Sequence, residues 1–327
     1  MLARRVLVTG GSGFIGTHLV SAVLDDGADL LNLDVKRPVL PDQRKHWRDL
    51  DLLDAKAVEQ AVVEHRPDVI FNLAAVADIW LTGDALLANT QGLRNLIVAS
   101  SALPSSPRLL HVSTQLVVKA GYTPQGVRDY APYTEYGRSK AASEEILWKE
   151  AGDLVWTVLR PTNVWGPRHP TFPGSTWKYL ARRWYPLPSG FDPVRSYGYV
   201  TNVVGQMMAA SKAEPAAVNQ RIVYVGAEPI ASSKWLDGFS FALTGRKARR
   251  VPGNVLKLLA LGGEVMHRIG GPAPLDRGRL YRMTTDYQVP MEETFETLGR
   301  GSVSRDQGIE ETVAWLQKAL PDEYQQK

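Results

Sequence analysis

Five short apolar runs, at residues 6–9, 30–34, 69–73, 109–113 and 155–160, recur through the first half of the chain, each separated from the next by enough sequence for a helix. Runs that are apolar throughout, rather than at alternate positions, read as strands covered on both faces. The first interval, "FIGTHLVSAVLDDG", carries its apolar residues at helical spacing. Strand and helix in alternation predict an α/β fold built on a doubly wound parallel sheet. After Pro161 the pattern breaks into segments rich in Pro, Gly, Trp and Arg. This places a nucleotide-binding domain at 1–161 and a smaller, mainly substrate-binding region at 162–327, with "RIVYVGA" reading as a later strand that returns to the main sheet. The run "NVLKLLALGGEVMHRIG" is apolar enough to lie on a membrane surface or line a hydrophobic pocket, and reads first as a packed helix interrupted by glycines.

The junction between the first strand and first helix is "TGGSGFIG", with Gly10, Gly11, Gly13 and Gly16 where the chain turns. A backbone stripped of side chains at a helix N-terminus can approach a pyrophosphate and hold it on N–H groups where the macrodipole favours negative charge. A tight turn with no ligand is the alternative. The second strand decides between them, because it ends on Asp34, placed to accept hydrogen bonds from an adenosine ribose. A carboxylate there repels a 2′-phosphate and favours NAD, while Lys36 and Arg37 keep NADP as the alternative.

Composition narrows the chemistry. The 327-residue chain is 44% hydrophobic, and it contains no cysteine, which excludes disulfides, thiolate metal sites and cysteine nucleophiles. The six histidines show neither HExxH nor paired i, i+4 spacing, so no metal site is expected. With the first strand starting near Arg4 and no apolar stretch long enough to span a bilayer, neither a secretory leader nor a membrane span is expected, and a cytoplasmic enzyme fits. A net charge of +4 does not call for nucleic acid. Basic residues are nevertheless clustered: Arg168, Lys178, Arg182, Arg183 and Arg195 stand against the one acid Asp192 within 166–199, and "GRKARR" follows at 245–250. Each cluster is a solvated face or an attraction for an anionic substrate.

The catalytic signal is "TEYGRSK". Tyr136 and Lys140 are four apart and share one helix face, so the ammonium is expected to lower the phenol's pKa and make it a general base. The strand end "LLHVSTQLVV" offers Ser113 and Thr114 as the accompanying hydroxyl, on the side of the sheet where the glycine turn lies.

Taken together, these motifs resemble the extended short-chain dehydrogenase/reductase family, in particular its NAD-dependent, UDP-galactose 4-epimerase-like epimerases and dehydratases, over nearly the whole chain. The resemblance implies a Rossmann domain that binds NAD through Gly10, Gly13, Phe14, Ile15 and Gly16. Asp51 and Leu52 of "DLLD" would meet adenine, and Leu73, Ala74 and Ala75 of "FNLAA" form the strand end beside the cofactor. Asn89 corresponds to the family's helix asparagine. In "LRPTNVWGP", Thr162 would approach nicotinamide and Asn163 the substrate. Thr114, rather than Ser113, falls on the catalytic hydroxyl, where it would also touch substrate, although Val118 and Lys119 stand where the family usually has tyrosine and glycine.

Many members act on nucleotide-activated sugars. "VRSYGYVTNVV" is similar to their "RDYIHVDD" segment, which puts Arg195 on the arginine that binds the substrate diphosphate, while Thr201 and Asn202 depart from the usual acids. A nucleotide-sugar epimerase or oxidoreductase is the leading expectation. One rival is a 3β-hydroxysteroid dehydrogenase-like enzyme, suggested by the C-terminal third; another is a non-catalytic NAD-binding regulator. A 4,6-dehydratase is not expected, because Gln115 and Leu116 follow Thr114 where such enzymes carry an acid, leaving Glu135, which adjoins Tyr136, as the carboxyl group to consider. By analogy the helices at 84–101 and 136–149 would pair in a homodimer.

Overall fold

A computed structural model describes residues 4–76, 81–268 and 275–324. Seven parallel strands form the main sheet. They are β1 (Arg5–Thr9), β2 (Asp29–Leu33), β3 (Trp47–Arg48), β4 (Val69–Asn72), β5 (Arg108–Val112), β6 (Trp156–Pro161) and the strand Arg221–Val225. Their order across the sheet is Arg221–Val225, β6, β5, β4, β1, β2, β3, so the chain winds outward from β1 in both directions. Four helices matter for the site: α1 (Phe14–Asp25), α2 (Ala55–His65), α3 (Gln91–Ser101) and α4 (Glu135–Glu150). Leu7, Leu33, Ile70, Leu109, Val158 and Ile222 from six strands meet Val58, Leu93, Leu96 and Leu147 from the helices in one buried cluster, which explains the unbroken apolar runs. The expected strands are all present, and "RIVYVGA" does join the sheet. The two-residue edge strand β3 is too short to show a periodicity.

The strands stop one residue earlier than the apolar runs suggest at Asp34, Leu73 and Ser113. Those residues instead occupy the turns beyond the carboxyl ends, where ligands of open α/β sheets bind.

The chain divides into two compact units. The first comprises Met1–Val164, Val200–Ala227 and Pro290–Ser302. Gln206 ties its returning segments together by donating to the carbonyls of Gly226 and Gly299 at 3.0 and 3.2 Å.

The second unit comprises Trp165–Tyr199, Glu228–Val289 and Val303–Lys327. Three of the tryptophans that mark this region in the sequence build its core: Trp165 lies edge-on to Phe239 at 5.4 Å, Trp177 stacks on Phe239 at 5.1 Å and Tyr197 stacks on Trp235 at 4.9 Å, while Trp184 is exposed. The run "NVLKLLALGGEVMHR" falls within one helix, Gly253–Arg268, while Ile269 and Gly270 lie outside the described residues. Among the described residues no helix is long and apolar enough to cross a membrane, and no group of three His, Asp or Glu side chains could hold a metal ion.

Candidate active site

The glycine turn is held tightly. Gly10 has φ +69°, and a Cβ there would stand 2.6 Å from the Ala74 nitrogen; a Cβ on Gly16 would stand 2.2 Å from the Gly10 oxygen. Only glycine lets α1 begin this close to β1 and to the chain leaving β4. Gly13, the residue before α1, is extended and brings no side-chain cap to the first turn. Asp34 secures the turn from the β2 side: Ser12 N donates to its Oδ2 at 2.9 Å and Lys36 N to its Oδ1 at 2.8 Å, and a carboxylate retains further acceptor sites. Asn32, which the sequence reading passed over, is fully buried and accepts from Gly11 N at 3.0 Å.

The other predicted cofactor residues are distributed as follows. Leu52 is buried against Gly92, and its carbonyl accepts from Asn95 Nδ2 at 2.7 Å; Asp51 is exposed and caps Leu53 N at 3.0 Å. Leu73 and Ala74 are pinned to the end of β1, by Leu73 N donating to Thr9 O at 3.0 Å and Ala74 N to Thr9 Oγ1 at 3.2 Å. Phe14, Ile15 and Ala75 are half-buried. Asn89 is buried and binds Val76 N through its Oδ1 at 2.8 Å, while its Nδ2 donates to Ser139 Oγ at 2.9 Å, so it joins the chain after β4 to α4. Thr162 is buried with its hydroxyl unpartnered, and Asn163 is half-buried at the start of a short strand. A glycine cradle that a Cβ would fill, an uncapped helix start, an acid past β2 and an orphaned hydroxyl past β6 fit a dinucleotide.

Helix α4 starts where Thr134 caps it, its Oγ1 accepting from Gly137 N at 3.0 Å. A Cβ on Gly137 would come within 2.5 Å of the Leu116 carbonyl, so the helix is seated directly on the loop after β5. That seating brings Thr114 close enough to the Tyr136 hydroxyl to act on its pKa, while Thr114 Oγ1 accepts from Leu116 N at 3.2 Å. Ser113 turns away and donates to Glu144 Oε1 at 2.5 Å. Tyr136, Lys140 and Glu144, at i, i+4 and i+8, are all buried.

Electrostatics in this row differ from the expectation drawn from spacing. Burial pushes the Tyr136 phenol up to about 12, with the Thr114 hydrogen bond drawing it back, and burial pushes the Lys140 ammonium down to about 8, opposed by Glu144. Desolvation is the largest influence on both groups.

A hydrogen-bonded chain beneath the row accounts for its rigidity. Thr9 Oγ1 donates to Asn72 Oδ1 at 2.7 Å, leaving Asn72 Nδ2 to donate to His111 Nδ1 at 3.0 Å. His111 therefore carries its proton on Nε2 and donates to Ser143 Oγ at 2.8 Å, and Ser143 passes its own proton to the Lys140 carbonyl at 2.7 Å. The Lys140 ammonium lies 3.5 Å from His111 Nε2, and burial together with that charge holds His111 well below its usual pKa, as a neutral ring. Glu144 accepts from Arg160 Nε at 3.0 Å and Nη2 at 2.6 Å, a buried bidentate pair. None of Asn72, His111, Glu144 or Arg160 was singled out from the sequence. The available signals were a histidine inside an apolar strand and a glutamate extending the Tyr136–Lys140 spacing by one more turn.

The five cations of 166–199 do not act as one cluster. Lys178 pairs with Glu323 at 2.8 Å, and the Arg182 guanidinium lies 5.8 Å from the Trp184 ring. Arg195 lies on the short strand Val194–Arg195, which pairs with Ile230–Ala231, and its Nη2 donates to the Thr285 carbonyl at 3.2 Å. Tyr185 is pushed up to about 12 by burial and the Tyr197 hydroxyl, while both Arg195 and Arg279 draw it down, so two guanidiniums stand near one phenol within the second unit.

The sequence model of the NAD dependent epimerase/dehydratase family matches residues 6–226. The chain is 29% identical over 198 residues to a dTDP-glucose 4,6-dehydratase of Neisseria meningitidis, a match that covers 51% of this chain and little more than half, 55%, of that enzyme. It is 27% identical over 293 residues to a 3 beta-hydroxysteroid dehydrogenase/Delta 5→4-isomerase of Mycobacterium tuberculosis, covering 83% of this chain and 78% of the relative. Among solved structures, the UDP-glucose 4-epimerase of Thermus thermophilus in complex with NAD superimposes with a TM-score of 0.71 at 26% identity, over 97% of this chain and all of the other.

Proposed function

The chain belongs to the NAD dependent epimerase/dehydratase family, and from that premise we propose that it is an NAD-dependent epimerase or oxidoreductase of a nucleotide-activated sugar. The observation that carries the reading is that Thr114, beyond the carboxyl end of β5, acts on the Tyr136 phenol, with Lys140 buried one turn further along α4 and the glycine loop on the same side of the sheet. NAD, when bound, supplies a hydride acceptor and a positively charged ring. Gly10, Gly13, Phe14, Ile15 and Gly16 would hold its pyrophosphate, Asp34 its adenosine ribose, Asp51 and Leu52 its adenine, and Leu73, Ala74, Ala75, Asn89 and Thr162 its nicotinamide half.

Tyr136 takes the proton from the sugar hydroxyl being oxidised, and Thr114 orients that oxygen. A phenol near pKa 12 is a weak base at neutral pH, so positive charge beside it is needed to draw it down in the loaded site. Lys140 supplies part of that charge and would hydrogen-bond the nicotinamide ribose. Asn163 contacts the sugar, and Arg195 contacts the diphosphate with Arg279 assisting, since a guanidinium binds phosphate by paired charge-assisted hydrogen bonds. Dehydration across the sugar ring is not part of the reading despite the dehydratase relative. Glu135, the carboxyl group that adjoins Tyr136 in sequence, is exposed and bound to Arg138 at 2.5 Å, and Gln115 and Leu116 cannot donate the proton that a departing hydroxyl requires.

A second reading, a 3β-hydroxysteroid dehydrogenase-like enzyme, is favoured by one observation: the match to the mycobacterial relative extends over 83% of the chain. Thermal shift with UDP, GDP and dTDP, in the presence of NAD, separates the two. A nucleoside diphosphate should stabilise the protein, and Arg195→Ala should weaken that binding by about 10- to 150-fold, the worth of one charge-assisted hydrogen bond. Stabilisation by a hydroxysteroid and by none of the diphosphates overturns the sugar reading.

A further inference from the structure

The helix Gly253–Arg268 buries one side and leaves the next bare. Leu256 and Ala260 are fully buried with Leu275, and Val251, Leu280 and Met283 pack around them. Beside that buried stripe, Val255, Leu258, Leu259 and Met266 are 42, 71, 53 and 43% exposed. Offsets of 3, 4 and 11 from Val255 set these four within an arc of about 100° on the helix circumference, with Gly262 between them at offset 7. A stripe of this kind belongs against an apolar phase.

Its surroundings are basic. Residues 246–263 contain five Lys and Arg and no Asp or Glu, a local charge larger than the +4 of the entire chain. Arg250 is neutralised by Asp237 at 2.9 Å. Arg246, Lys247, Arg249 and Lys257 are exposed and make no ion pair among the described residues. Phe191 and Tyr281, 47 and 55% exposed, line a cavity of about 220 Å³ together with Lys257 and Gly253 of the helix's first turn.

We propose that this helix lies flat on an anionic lipid surface, with the Val255–Met266 stripe in the acyl boundary and Arg246, Lys247 and Arg249 against the headgroups. Sixteen residues make a helix about 24 Å long, short of the ~30 Å hydrocarbon core, so it rests on the bilayer and does not cross it. A second copy of the chain is the poorer occupant. A two-fold contact through the stripe would bring Arg246, Lys247 and Arg249 against their own copies, and the centres of such interfaces are depleted of charge. The proposal depends on neither reading of the substrate.

The test is sedimentation of the full chain with phosphatidylcholine vesicles and with vesicles of phosphatidylcholine mixed with phosphatidylglycerol, at low and high salt. Binding is expected to the mixed vesicles, to weaken with salt, and to fall roughly 5-fold for each cation removed in the series Arg246→Ala, Lys247→Ala, Arg249→Ala. Leu258→Glu with Leu259→Glu should reduce it at least about 10-fold, while the thermal shift induced by NAD stays that of the wild type and shows the variant folded. Failure of the wild type to bind mixed vesicles overturns the proposal, as does binding that survives the glutamate pair. A concentration-dependent dimer in sedimentation velocity that the glutamate pair dissolves, without vesicle binding by the wild type, overturns it in favour of self-association.

Discussion

Lys140 is charged in solution and buried in the fold, and that conflict should be measurable as pH-dependent stability. Burial lowers its pKa from 10.5 to about 8. Below pH 8 both the folded and unfolded chains carry the proton, and the fold bears the whole cost of a desolvated ammonium. Between 8 and 10.5 the unfolded chain binds more protons than the folded one, so stability rises with pH; above 10.5 both are neutral and the cost is gone. A difference of about 2.5 units at about 1.4 kcal/mol each gives a total of about 3 kcal/mol, with a steepest slope of about 1.4 kcal/mol per pH unit. Lys140→Met keeps the shape and removes the titration. Urea unfolding of both proteins without cofactor, in steps from pH 7 to pH 10.5, should show the variant more stable at neutral pH and the gap closing by about 3 kcal/mol as the pH rises. Tyrosines titrate in both proteins and cancel in the difference. A gap that stays constant with pH would refute the reasoning, since it would mean that the lysine reaches water in the folded state.

Three further outcomes follow from the same geometry. Tyr136→Phe should bind NAD with wild-type affinity and lose turnover on the order of 100-fold or more, the usual worth of a general base; full activity ends the assignment, and wild-type NAD binding by a chain inert toward every candidate substrate favours a regulator. Gly16→Ala places a carbon 2.2 Å from the Gly10 oxygen, so the turn must open: calorimetry should show NAD affinity reduced at least about 10-fold, with stability reduced by about 1–3 kcal/mol. Glu144→Leu strands the buried Arg160 guanidinium and should cost about 3–5 kcal/mol by urea unfolding, far more than any exposed carboxylate such as Glu135.

The glycine turn is legible in its local half, the approach of Gly16 to Gly10, whereas the contact of Gly10 with Leu73 and Ala74 is made by a strand end distant in the chain. Gly10 and Gly16 are separated by six residues, and the clash that any larger residue would cause is with that same loop and the neighbouring strand end. Asp34 was legible for a similar reason: a strand ending in an acid fixes its own direction and its side of the sheet. The catalytic row was half legible. Helical periodicity puts Tyr136 over Lys140, but the direction of their pKa shifts depends on burial by β5 and on the loop after it, which no spacing within the helix encodes.

What the sequence determined by itself was the alternation of short apolar runs and helices, and with it a parallel sheet whose carboxyl ends carry the turns. That follows from chain-local periodicity, because a residue's place on a strand or helix face depends only on its neighbours. Tertiary structure alone decided two things: that Lys178 is paired with Glu323, and that the Gly253–Arg268 helix buries Leu256 against Leu275 yet bares Leu258. Each is a choice of partner among residues far apart in the chain. Side-chain chemistry defines what a group can bind, and only packing defines which candidate arrives within reach.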